Sequence, residues 1–113
     1  MGWNYVKIKM IISATLLVFS GELLASESGN DDYCLMINDM AGKMMEARQL
    51  GIPLAEMKKP LNALKGAEKD LFTDILISAY EKPRFNGEEI RKRYITEHQN
   101  DWYMNCIKVY QSK

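Results

Sequence analysis

Two cysteines, Cys34 and Cys106, stand near opposite ends of what remains of the chain once residues 1–25 are set aside. A bond between them closes a loop of about 70 residues and, by chain entropy, is worth roughly 4 kcal/mol. A small domain has a net stability of only about 5–15 kcal/mol, so no other single feature constrains the fold as much. Two free thiols, or a bridge between chains, are the alternatives. If the intramolecular bond forms, it ties the start of the first helix to the end of the last, and those helices run antiparallel.

Whether the bond can form depends on compartment, which the first residues address. Lys7 and Lys9 precede an apolar run from Met10 to Phe19, and the small residue Ala25 follows shortly after. This is the order of a secretory signal peptide cleaved after Ala25, giving a periplasmic or secreted protein. The run is shorter than the roughly 20 residues of a membrane span. The alternative is an uncleaved amphipathic anchor. No Cys stands at the end of the run to make a lipoprotein. Residues 26–32 then form a polar tail, expected to be flexible, and 33–113 a single helical domain.

Lys and Arg together number 15, as do Asp and Glu. A chain this close to neutral generates no long-range field for nucleic acid or anionic lipid. Neither is expected as a partner, and no membrane association is expected once the leader is removed.

Apolar residues recur at helical rather than strand spacing. A first helix is expected from about Asp32 to Leu50, capped by Asn30, Asp31 or Asp32. It places Cys34, Ile37, Met40, Ala41, Met44 and Ala47 on one face. Gly51 is its left-handed terminator, with Ile52 making the accompanying apolar contact. Pro53 suits the first turn of a short helix that Pro60 ends or kinks, and Pro60 to Lys65 adds another turn. A helix from Ala67 to about Glu81 buries Leu71, Phe72, Ile75, Leu76 and Ala79 before Pro83 stops it. Asn86 and Glu89 suggest a capping box for the last helix, 86–113. Its buried face comprises Tyr94, Ile95, His98, Trp102, Cys106 and Val109. The fold class is therefore all-α: a small antiparallel bundle of three main helices plus one or two short helices, with one disulfide.

Few residues suggest chemistry. His98 is the single histidine and lies on the apolar stripe, so it reads as a structural residue with a pH-responsive role as the alternative. A metal site needs further imidazoles or thiolates, and both cysteines are already assigned. No Gly-x-Ser-x-Gly nucleophile motif occurs. Glu88 and Glu89 are adjacent and suit the first turn of a helix, where their charge meets the helix dipole. Arg91, Lys92 and Arg93 are flanked by Glu88, Glu89 and Glu97 and read as a solvated face with ion pairs. No catalytic residue, metal or cofactor is expected, and the protein is not expected to be an enzyme.

Partner-binding candidates are better defined. Tyr103, Ile107 and Tyr110 form a second row beside the main stripe, either covered by a short helix or open to a partner. Among the methionines, Met36 and Met45 sit toward the edges of the first helix's stripe and are expected at the surface. Arg48 follows Ile37, Ala41 and Met44 inward. Its guanidinium must pass the edge of the core or meet a carboxylate or carbonyl, unless it anchors a partner.

Cys34, the Ala47-Arg48-Gln49-x-Gly51 helix ending, a middle helix finishing at Tyr80, and Trp102-Tyr103-x-x-Cys106 together give a resemblance. The chain resembles small exported two-cysteine helical proteins of Gram-negative bacteria and their phages. That resemblance implies a periplasmic location and a disulfide, and it transfers no active-site residue. Pro53 departs from it, standing where a Ser or Thr cap is expected.

The leading functional expectation is a periplasmic binding or inhibitor protein acting on a cell-envelope protein or an incoming phage or toxin factor. A stress holdase using the Met-rich surface is the second. A membrane-anchored accessory protein, retained by its leader, is the third.

Overall fold

Between residues 29 and 50 nothing breaks a helical pattern, and the computed structural model, which describes residues 29–111, has one helix over that whole stretch, α1. The expected signal peptide lies outside the described residues. Of the expected tail, residues 29–32 are already helical, so Asn30, Asp31 and Asp32 lie within α1 rather than capping it. Polar residues at exposed helical positions cost only about 0.5 kcal/mol each in propensity, too little to stop a helix. The chain divides after Tyr33, and Cys34–Lys113 forms a compact unit.

Within that unit α1 buries Cys34, Ile37, Ala41, Met44, Met45 and Ala47. Gly51, at φ 82°, ends it. The Gly51 N–H donates to the Arg48 carbonyl (3.1 Å) and the Ile52 N–H to the Ala47 carbonyl (3.0 Å). This paired closure satisfies carbonyls that the helix end would leave bare, and it needs a residue that accepts positive φ.

Pro53 is the residue before the next helix rather than in its first turn. Its carbonyl accepts from the Glu56 and Met57 amides at the start of α2, Leu54–Lys58. Pro60 has no N–H to continue an α ladder, and the chain tightens into a 3-10 turn, Lys59–Ala63. Leu61 is the buried residue of that turn. Helix α3, Gly66–Tyr80, then buries Phe72, Ile75, Leu76 and Ala79, with Leu71 half-exposed. Full burial of side chains such as Ile75 and Leu76 is worth about 1.5–3 kcal/mol each.

The last helix, α4, spans Glu88–Gln111. Gly87, not Asn86, occupies the position before its first turn, with the Gly87 carbonyl accepting from the Arg91 amide at 3.1 Å. Glu88 and Glu89 sit in that turn, where acidic side chains meet the positive end of the helix dipole.

Helices α1 and α4 run antiparallel along their whole contact. Cys34 near one end of α1 is bonded to Cys106 near the far end of α4. Gly42 at mid-helix lies against Gln99, and Gln49 reaches Phe85, just before α4 begins. Helix α3 packs on this pair, and the C-terminal ends of α1 and α3 are drawn together. No strand occurs among the described residues, so the all-α reading holds.

Two expectations about individual side chains fail. Met45 is fully buried rather than at the surface. It lies about three turns after Cys34, so the side of α1 that faces α4 at the disulfide also carries Met45 against α4. Val109, expected on the buried stripe, is 48% exposed. The α3 contacts made by this stripe come at His98 and Trp102, and Val109 stands about two turns beyond Trp102.

Candidate functional site

Three places hold the chemistry that side chains can offer: the ends of α1 and a polar cavity between them. At the C-terminal end, Gln49 is 1% exposed, yet every polar atom of its amide is used. Its Nε2 donates to the Pro83 carbonyl at 2.9 Å, and its Oε1 accepts from the Phe85 amide at 2.9 Å. One side chain thus pairs with a loop backbone much as a neighbouring strand would. Burying an amide is tolerable only with such pairing.

Neighbouring residues reinforce this contact. Arg48 donates from Nε to the Lys82 carbonyl at 2.8 Å, while its guanidinium carbon sits 5.5 Å from the centroid of the Tyr80 ring. The Tyr80 hydroxyl donates to the Ile52 carbonyl at 2.6 Å. Burial raises the Tyr80 pKa, the Arg48 charge opposes that shift, and Glu56 adds to it. Arg84 extends over Gly51, with guanidinium atoms 2.9 Å from where a side-chain carbon would begin. Arg91 donates from Nε to the Phe85 carbonyl, and the Phe85 ring stacks on Tyr94 with centroids 4.5 Å apart. Arg48, a candidate partner anchor in the sequence, is therefore employed inside the protein. It meets a carbonyl, one of the partners its inward position demanded.

At the other end the Cys34–Cys106 bond has a Cα–Cα distance of 5.6 Å, within the range that disulfides span without backbone movement. No cysteine is left free. The large side chains Leu35, Met36 and Met104 beside it are exposed by 44%, 40% and 49%. Tyr103, Ile107 and Tyr110 are half-buried, neither core nor fully open surface. They lie to one side of Trp102, which faces α3 and donates from Nε1 to the Ser78 hydroxyl at 3.1 Å.

Between the two ends lies His98, 4% exposed. Its Nε2 is 3.2 Å from the Ile75 carbonyl, which also accepts from the Ser78 hydroxyl at 2.8 Å. Since a carbonyl can only accept, Nε2 carries the proton and Nδ1 is bare. Burial lowers the His98 pKa, against the opposing effects of the Ile75 carbonyl and Asp101, and Lys82 lowers it further. A cavity of about 60 Å³ opens over the ring, lined by Met45, Lys82, Tyr94, Glu97, His98 and Asp101. Among the described residues no group of three or more His, Cys, Asp or Glu side chains is arranged to hold a metal ion.

Sequence reasoning singled out Arg48, Met36 and the Tyr103 row but missed Gln49. Its one signal was placement: an amide in the last turn of a helix, next to an inward-facing Arg and just before the Gly terminator. Comparison with models of known protein families, with curated proteins and with solved structures finds no match.

Proposed function

We propose that this is an exported binding protein of inhibitor type, acting in the periplasm or outside the cell on a cell-envelope protein or an incoming phage or toxin factor. The observation that carries the reading is the disulfide end. Exposed apolar side chains on α1 (Leu35, Met36) and α4 (Met104) lie within two residues of a covalent bond that fixes the two backbones. Single exposed hydrophobics are ordinary, but apolar side chains on backbones held by a covalent bond lose little freedom on binding. Tyr103, Ile107 and Tyr110 supply half-exposed aromatic and aliphatic area beside it. Export is supported by the lysine-led apolar leader ending at Ala25 and by a disulfide suited to an oxidising compartment. No helix among the described residues is long and apolar enough to cross a membrane.

A photo-crosslinking residue placed at Met36, with a second placed at exposed Asp74 on α3 as control, tests the reading. A single discrete protein adduct is expected in cells from position 36 and none from position 74. Replacing Tyr103 and Tyr110 by Ala should weaken capture of that adduct's protein by about 1 kcal/mol per ring, in line with interface anchors. A smear of unrelated adducts, or equal labelling from both positions, overturns it.

A further inference from the structure

We propose that the cavity over His98 receives the guanidinium of an arginine side chain carried by the protein partner. The inference deepens the binding role above and rests on it. The first support is the character of the lining. His98 is more than nine-tenths buried, and with Nε2 committed to Ile75 its Nδ1 is a lone acceptor. No buried side-chain polar atom among the described residues is left without a partner, so Nδ1 is not sealed in the core, and His98 lines the cavity.

Glu97 and Asp101, one helical turn apart on α4, border the same cavity. Neither carboxylate lies within ion-pair distance of a cation among the described residues. Tyr94 adds an aromatic wall, and Met45, from α1, an uncharged polarisable one. An imidazole nitrogen and two carboxylates accept hydrogen bonds, so the group they suit is donor-rich and cationic. The opposing charge is Lys82, from the loop after α3, whose flexible ammonium borders the cavity without pairing to either carboxylate.

The kind of acceptor decides between cations. The acceptors do not form a set that could chelate one metal ion. A compact ammonium satisfies one carboxylate at a time. A planar guanidinium presents five donors spread in a fork and stacks on aromatic rings, so it suits a cavity lined by two carboxylates, an imidazole and Tyr94. A broad open depression of about 330 Å³ along Asp101, Trp102 and Asn105 shares Asp101 with the cavity. It leaves room for the backbone that brings the arginine in.

The test uses the whole exported protein and N-acetyl-arginine methylamide as probe, with the citrulline and lysine counterparts as controls. His98 is the only histidine, so the imidazole nitrogens give one readable set of NMR signals. The arginine probe should bind with a Kd of about millimolar, the scale of a single side chain, and shift the Nδ1 signal. The citrulline and lysine probes should bind at least about tenfold more weakly, the loss of roughly one charge-assisted hydrogen bond. Glu97→Gln and Asp101→Asn, both at exposed positions, should each weaken the arginine probe about tenfold with an unchanged melting temperature. Equal binding by citrulline or lysine, an unmoved Nδ1 signal, or wild-type binding by the double variant overturns the proposal. The Met36 adduct separates the two ideas: if it persists while arginine fails to bind, the binding role stands and this cavity has no part in it.

Discussion

The two ends of α1 are fastened in different ways, one to α4 and the other to the loop between α3 and α4. Near Cys34 one covalent bond holds α1 to α4, and Leu35, Met36 and Met104, one or two residues from the bonded cysteines, stay exposed. Near Gln49 no covalent link exists. Two consecutive side chains instead grip the backbone of Lys82, Pro83 and Phe85 with three hydrogen bonds, and Arg84 returns a longer one, 3.4 Å, to the Gln49 carbonyl. A bond that needs no surrounding structure can sit under a working surface. Hydrogen bonds to backbone need burial and a precisely placed loop, so that end is consumed by its own architecture. The stapled end is the one left free to evolve contacts, which is what favours it as the seat of the proposed binding role.

The largest effect should come from breaking the covalent end. Replacing Cys34 and Cys106 by Ser, or adding reductant, should cost about 4 kcal/mol for a loop of this length. Paired thermal melts with and without reductant measure it. Amide exchange should show protection lost first around Met36 and Met104 and retained longer at Gln49 to Phe85. If the loop end loosens first instead, the disulfide is not what holds the surface residues in place.

Gln49→Ala attacks the other end. It leaves the Pro83 carbonyl and Phe85 amide without protein partners, at about 1–3 kcal/mol for each group that water does not reach, so a loss of about 3 kcal/mol is expected. Denaturant unfolding checks the value. Because this end is insensitive to redox state, the loss should be the same in reductant, and the two perturbations should add.

That contrast also explains what was legible beforehand. The helices, the antiparallel α1–α4 pair, the staple and the Gly51 terminator follow from period, cysteine placement and the backbone freedom of glycine. All three signals are carried by residue type. Arg48 was constrained to find a partner such as a carbonyl because its position pointed inward. Gln49 was invisible because its partners are backbone atoms more than 30 positions away, and backbone has no letter in the sequence. Met45 was misplaced because a helical wheel gives the direction of a side chain but not how far the neighbouring helix wraps around the stripe. The His98 cavity needed both the ring's fixed tautomer and the approach of Lys82 from another element, and neither follows from spacing.

A smaller perturbation lies midway between the two ends. Gly42 allows the Gln99 side chain to lie directly on α1, and an added side-chain carbon would come within 2.8 Å of Gln99 Cδ. Gly42→Ala should cost about 1 kcal/mol, the low end for overpacking, because the end of a long amide side chain can move aside. Gln99→Ala in the same background should restore most of it. If restoration fails, the helices themselves meet at Gly42 and the middle of the pair is as tightly specified as its ends.

The mildest effect is on pH, and it separates the middle of α4 from both fastened ends. Burial lowers the His98 pKa below its ordinary 6.5 in the folded protein. The unfolded chain therefore takes up this proton first as the pH falls. The sign follows from linkage: stability is full above about pH 6.5, declines as the pH drops below it, and levels off once the pH passes the lowered folded value. The groups that face the ring set how much is lost. Asp101 favours the protonated imidazole and Lys82 opposes it, while Ile75 accepts from Nε2 in either state. His98→Gln keeps an amide donor for the Ile75 carbonyl and removes the titration. Wild type and variant should thus show similar melting temperatures at pH 7.5 after a constant offset, with the wild type falling faster between pH 6.5 and 5. Exchange at the lower pH should rise in the His98 and Trp102 contacts with α3, while the disulfide and the Gln49 grip, which contain no group titrating in that window, stay protected. A wild type that tracks the variant across the range would mean that His98 takes up its proton equally in the folded and unfolded states, and the cavity over it would not be the buried acceptor site described here.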